Sequence, residues 1–186
     1  MVQTSQRLHF QQELSRLEEQ ALGALDLVVT TLDRTLEALH HRDIELAAIV
    51  IQDDDRIDGR YLEVHQGILS LLALQSPVAS DLRVVAALLH VIKHAERMGD
   101  QCVNIAKLLP LTGHEPPVDE EILIKVETMG RLARSEVSQS KQAFLLRDVA
   151  LAEDLVRQDA EINQLNKEIF HRAVEVGTDL DCASGR

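Results

Sequence analysis

The chain has 186 residues and a formal charge of −12, with 2% aromatic residues, no Trp and an apolar fraction carried by Leu, Ala, Val and Ile. That length allows one sizeable core or two small bundles, and the aliphatic composition suits helices packed on helices. The acidic balance argues against nucleic acid and against an anionic bilayer surface, and it favours metal cations or basic protein surfaces. No apolar run approaches the ~20 residues of a membrane span, and the N-terminus lacks a signal-peptide core. Cys102 and Cys182 form no ligand or redox motif. A soluble, reduced cytosolic chain without membrane insertion is therefore expected.

In chain order, apolar periodicity predicts five helices. The first runs from about Thr4 to Leu39, with Leu14, Leu17, Ala21, Leu25, Val28, Leu32 and Leu39 at alternating three- and four-residue steps. His40-His41-Arg42-Asp43 breaks it, and Asp43 is placed to cap the next helix. The second, Ile44 to about Leu74, has Ile44, Ala47, Ile51, Tyr61, Ile68 and Leu72 on its seam. Gln75-Ser76-Pro77 turns into the third, with Ser76 as N-cap and Pro77 at the tolerated first position; this helix ends near Pro110. Residues 112–117 form a linker, and helices from about Val118 to Leu146 and Val149 to Val176 follow. Residues 177–186 read as a frayed tail.

An internal repeat crosses the linker. Aligning Arg42-Asp43-Ile44-Glu45-Leu46-Ala47 with Arg147-Asp148-Val149-Ala150-Leu151-Ala152 sets an offset of 105 and gives seven identities in the 24 positions from Arg42 to His65. Asp54 then superposes on Asp159, Ile57 on Ile162 and Asp58 on Asn163. The division is a first three-helix bundle over 1–111 and an incomplete second bundle of two helices over 118–176. The fourth and fifth helices lack the partner that the third supplies in the first copy. Their apolar stripes must pack on the first bundle, on a second chain, or on nothing.

The third helix carries the unusual chemistry. Its seam reads Val78, Leu82, Val85, Leu89 and Ile92, and the next two positions fall to Glu96 and Asp100. Asp54 and Asp58 stand at the same i, i+4 spacing between Ile51 and Tyr61 on the second helix. Counted from a hairpin pivot at Ser76, Asp58 is 18 residues away, Glu96 20, Asp54 22 and Asp100 24. A two-residue mismatch between antiparallel helices is an axial offset of only ~3 Å, so the four carboxylates are level in pairs. Charge gathered on an apolar stripe needs a cation or a proton. An oxygen-only donor set favours Mg²⁺, Mn²⁺ or iron over zinc, and Asn104 could add an amide oxygen. A solvated groove edge is the plainer reading of any one of these residues.

The run Glu96-Arg97-Met98-Gly99-Asp100-(three residues)-Asn104-Ile105-Ala106 resembles the signature of PhoU proteins, accessory regulators of phosphate-specific transport. Ala79-Ser80-Asp81-Leu82-Arg83, the opening Arg7-(two residues)-Phe10-(three residues)-Leu14 and the repeated Arg-Asp-(two residues)-Leu-Ala resemble the family too. The resemblance implies an all-α tandem of three-helix bundles with a metal-binding acidic motif on each. It also implies a cytoplasmic role in shutting down phosphate uptake and the starvation response. The implied partners are the phosphate ABC transporter's ATPase subunit and a sensor histidine kinase, with a homodimer as the assembly and no enzymatic activity. The chain departs from the family in lacking a second Glu-Arg-(two residues)-Asp run, so a second metal patch retains only Asp159, Asn163 and neighbours. Arg83 and Arg97 are candidate partner contacts, against surface salt bridges as the plainer reading.

Two alternatives stand beside that reading. Glu37-(two residues)-His40 and Glu168-(two residues)-His171 have the spacing of ferritin-like di-iron bundles. A structural helical adaptor would use the apolar stripes and ignore the carboxylates.

Overall fold

The computed structural model describes residues 2–74, 77–112 and 119–184, with side chains from residue 7 to 74, 77 to 111 and 119 to 177. Every element among them is helical: α1 (Val2–His41), α2 (Ile44–Gln52), α3 (Asp55–Leu74), α4 (Ala79–Thr112), α5 (Glu120–Leu146) and α6 (Val149–Ser184).

The expected second helix is two helices, because Gln52-Asp53-Asp54-Asp55 breaks it. Consecutive aspartates compete for backbone hydrogen bonds, and Asp53 is further drawn away by an ion pair from Arg34 of α1. The chain turns at Asp53 and Asp54, and the Asp54 carbonyl accepts from the Ile57 and Asp58 amides as α3 begins. The second copy has Arg157-Gln158-Asp159-Ala160 at this point, and α6 runs through unbroken. It also continues past Val176 to Ser184, beyond the boundary expected for it. Pro110 sits inside the last turn of α4 rather than ending it. Only one backbone bond, to the Ala106 carbonyl, is forgone there. The proposed Ser76 cap and nearly all of the linker lie outside the described residues.

The two inter-helix turns after α1 and α5 are built alike. Arg42 and Arg147 both take left-handed backbone conformations, with φ of 53° and 54°. The following Asp43 and Asp148 amides reach back to the carbonyls of Ala38 and Ala143, at 2.9 and 3.0 Å. Each aspartate then caps the next helix by accepting from the Leu46 or Leu151 amide, at 2.9 and 3.0 Å. The repeat seen in the sequence is thus a repeat of backbone geometry.

The core lies among α1, α3 and α4. Phe10, Leu17, Leu22, Ile57, Ile68, Leu88 and Ile92 are its largest fully buried side chains. A smaller cluster of Ala38, Ala47, Val50, Ala106 and Leu109 seats α2 between α1 and α4. One end is tied by Asp81, which accepts from both guanidinium arms of Arg7 and from the Val78 amide.

α5 packs along α1, and α6 packs on α5. The α1–α5 contact is narrow: a Cβ on Gly130 would come within 2.4 Å of Leu36 Cδ2. It is flanked by charged rungs, His40–Glu127, Asp33–Arg134 and Asp26–Lys141, each seven residues from the last along both helices. Such exposed pairs contribute about 0–1 kcal/mol each and fix register more than stability. Among the described residues of α6, none is fully buried.

Candidate metal centre

The buried face of α4 shares Val85 and Ile92 with the seam the periodicity suggests, with Leu89 packed at its edge, but is rotated slightly from it. Val78 and Leu82 are 51% and 46% exposed, while Asp81, Val85, Leu88, Ile92 and Ala95 face the core. The seam continues through Gly99, Cys102, Val103, Ala106 and Leu109. Glu96 and Asp100 stand one position round from it, at the edge of the core rather than in it. Glu96 is half-buried and Asp100 exposed. A narrow seam of small residues here lets α4 come close to the start of α3.

Gly99 is the closest point. A Cβ there would lie 2.9 Å from Ile57 Cδ1 and 3.4 Å from Asp54 Oδ1. An interior helical glycine ordinarily costs about 1 kcal/mol against alanine, and here it lets Asp54, just before α3, and Asp58 within it sit beside the α4 acids. In the sequence Gly99 stands out only as part of the Glu96–Asp100 motif. Its usable signal was a glycine facing inward between two carboxylates on a strong helix.

Asp54, Asp58, Glu96 and Asp100 are near enough to repel one another. Partial burial pushes the Asp54 carboxyl above its ordinary range, and the charges of Asp58 and Asp100 push it further, with Lys107 opposing. Asp58 is raised first by burial and then by Asp100 and Glu96, with Lys93 opposing. The two helices therefore bring the four carboxylates into one acidic patch. It is not a preformed cage: among the described residues, no three His, Cys, Asp or Glu groups are gathered tightly enough to enclose an ion. Glu96 is held by Lys93 of its own helix, with Oε2 2.7 Å from Nζ, and Lys93 lies over the Tyr61 ring. The donors suit a hard cation in chemistry, and the mutual repulsion is what such a cation would relieve. Asn104 is exposed one turn beyond Asp100.

Cys102 lies beneath this patch, buried between Thr35 and Asp54, and burial lifts its thiol pKa to about 11. It is an inert core thiol rather than a ligand at neutral pH.

On the hairpin, Asp159 and Asn163 are exposed and bonded to each other, Asn163 Nδ2 donating to Asp159 Oδ2 at 2.7 Å. Glu136 of α5 faces them: its Oε1 is buried without a hydrogen-bond partner, and burial and the Asp159 charge raise its pKa. The sequence reading missed Glu136, whose position depends on the α5–α6 packing. Arg83 and Arg97 are exposed on α4. The two Glu-x-x-His motifs do not converge. His40 pairs with Glu127 and Glu168 with Lys125, and among the described residues no three His, Cys, Asp or Glu groups gather around either motif. The di-iron alternative fails on that placement. Among the described residues no helix is long and apolar enough to cross a membrane.

Comparison with known proteins agrees with this architecture. A PhoU domain is matched over residues 22–109 and 126–181. The phosphate-specific transport system accessory protein PhoU homolog of Streptococcus pneumoniae is 35% identical over 169 residues, covering 88% of this chain and 77% of that protein. The Aquifex aeolicus homolog is 31% identical over 153 residues, covering 82% and 68%. The crystal structure of the phosphate transport system regulatory protein PhoU from Streptococcus pneumoniae superposes with a TM-score of 0.84 at 29% identity, covering 91% of this chain and 79% of that one. PhoU from Pseudomonas aeruginosa, at 24% identity and the same TM-score, shares the fold over 95% of this chain and 84% of its own. These relatives are regulatory accessory proteins, not enzymes. A match that spans both repeats, joined to the same helical architecture, makes this chain a member of the PhoU family.

Proposed function

We propose that this chain is a cytoplasmic accessory regulator of phosphate transport. It restrains phosphate uptake and phosphate-starvation signalling when phosphate is plentiful. It acts by contact with the transporter's ATPase subunit and with a sensor histidine kinase, as a homodimer. The observation that carries this reading is the family match across both repeats. The exposed Arg83 and Arg97 of α4 are the residues assigned to partner contact. The test is phosphate uptake in cells lacking the chain, complemented with wild type or with Arg83→Glu plus Arg97→Glu. Wild type should restore repression at high phosphate and the double variant should not. Uptake that is indifferent to the chain would sink the reading.

The acidic patch supports a second element of the proposal. Asp54, Asp58, Glu96 and Asp100, with Asn104 at the edge, hold a divalent cation such as Mg²⁺, Mn²⁺ or iron. When bound, the cation cancels the patch's self-repulsion, so that a partner meets one fixed surface rather than a cluster of anions. Lys93, already on Glu96, releases it or remains as a rim charge. Binding to the folded state alone raises the melting midpoint with ligand concentration. Mn²⁺ or Mg²⁺ should therefore raise it in the wild type and leave Glu96→Ala plus Asp100→Ala unmoved. An equal rise in the double variant would move the site elsewhere, and no rise in the wild type would favour the plain helical adaptor.

A further inference from the structure

Histidine occurs eight times in the chain, and one pair, His90 and His94, stands four residues apart. Both lie in the middle of α4 and both are exposed. Residues at i and i+4 are neighbours on one face of a helix, about 5–6 Å apart at Cβ. The two rings accordingly stand side by side, with centroids 6.4 Å apart and planes inclined by 22°. On the opposite side of the helix Leu88, Ile92 and Ala95 are fully buried, and they fix this stretch against the core. The pair belongs to the first repeat, where α1, α2 and α3 pack against α4. Other histidines are engaged: His40 pairs with Glu127, and His65 lies against Tyr61. Among the described residues neither His90 nor His94 has a hydrogen-bond or ion-pair partner, which leaves their ring nitrogens open to solvent.

We infer that His90 and His94 form a two-nitrogen chelate for a borderline divalent transition-metal ion of the Zn²⁺, Ni²⁺ and Cu²⁺ class. Neutral imidazole nitrogen suits these ions, whereas Mg²⁺ and Mn²⁺ prefer oxygen. Metal–imidazole bonds of about 2.0–2.1 Å require the two nitrogens to come within roughly 3 Å of each other. Exposed rings one turn apart on a rigid helix reach that separation by turning about their side-chain torsions. Water fills the remaining coordination positions, so the site is an open one. It differs from the carboxylate patch in donor and in place. Glu96 and Asp100 sit on the side of α4 that meets Asp58, while His90 and His94 share the outward side with Arg83 and Arg97. Arg83, His90 and Arg97 follow one another at seven-residue steps, about two helical turns each. Arg97 lies one turn from His94, and its charge opposes a cation there, although water screens the repulsion. A bound ion adds its positive charge to the row that the arginines begin. The chelate does not depend on a partner: if Arg83 and Arg97 contact nothing, the two nitrogens still bind.

Calorimetric titration of the full chain with Zn²⁺ in excess Mg²⁺ tests the site. Zn²⁺ should bind, and His90→Ala or His94→Ala should each weaken that binding by about tenfold or more, because each leaves a single donor. Glu96→Ala plus Asp100→Ala should leave it nearly unchanged. The histidine changes are exposed and should not move the metal-free melting midpoint, which separates lost ligation from lost folding. With Cu²⁺, electron paramagnetic resonance should show two coordinated nitrogens in the wild type and one fewer in either single variant. No Zn²⁺ binding, binding that survives both single histidine changes, or a nitrogen count that those changes leave alone would overturn the site. Zn²⁺ binding lost in the acidic double variant and kept in the histidine variants would place the ion in the carboxylate patch and overturn it too.

Discussion

The bundle of α1, α3 and α4 and the hairpin of α5 and α6 share a related stretch of sequence and end in different states. Their opening turns are superposable in every hydrogen bond named above, down to the left-handed arginine. Yet Ile57 and Val64 are fully buried, whereas Ile162 and Ile169, 105 residues further on, are half-buried. The difference is α4, which packs over Ile57 and Val64, whereas among the described residues no helix covers Ile162 and Ile169 in the same way. Turns and helices are written locally, while burial is set by what covers the helix.

Removing core volume gives the sharpest break between the two. Ile68→Ala should cost about 2–5 kcal/mol in chemical denaturation, since the side chain is fully buried between α1 and α4. Ile169→Ala in α6 should cost about 1 kcal/mol or less, because it stays partly in water. Equal losses would mean that the hairpin is covered in solution as fully as the bundle. Glycine substitution sharpens the same contrast. Gly99→Val forces side-chain atoms into Ile57 and should cost about 1–3 kcal/mol. Gly177→Ala in α6 meets nothing within 4 Å and should stabilise by up to about 1 kcal/mol. A neutral Gly99→Val would show that α4 does not need its close approach to α3.

Much of this was legible beforehand. The helices, the repeat and the Asp43 cap followed from period, identity and turn chemistry, which are local. The acidic quartet was legible because two i, i+4 pairs lie within two residues of equal distance from one pivot. The inward side of α4 was legible through Val85 and Ile92 but not beyond them, for a seam of Ala95, Gly99 and Ala106 carries little hydrophobic signal. The helix break at Asp53–Asp54 was missed because three aspartates inside an otherwise good amphipathic pattern look like surface until Arg34 of another helix reaches one of them. Glu136 was invisible for a similar reason: nothing local marks a glutamate that packing buries.

Titration gives the smallest expected effect and sets the Asp54–Asp58 pair of the bundle apart by sign from Glu168 of the hairpin. Asp54 and Asp58 have raised pKa values, so the folded state holds their protons more tightly than the unfolded state does. Their contribution is most favourable below the ordinary aspartate range and is lost as pH rises through the raised values. Glu168 of the hairpin runs the other way: its pKa is lowered by Gln164 and Lys125, so its contribution is present above the ordinary range and lost as pH falls. Asp54→Asn should therefore raise the metal-free melting midpoint at neutral pH, by an amount kept small by solvent screening, and the gain should fade as pH falls into the ordinary aspartate range. Glu168→Gln should lower the midpoint at neutral pH instead. Saturating Mn²⁺ should reverse the ranking of wild type and Asp54→Asn, because the charge that destabilises the free patch is the charge that binds the cation. An Asp54→Asn chain less stable than wild type without metal at neutral pH would mean that Asp54 is compensated within the fold, with no repulsion left for a cation to relieve.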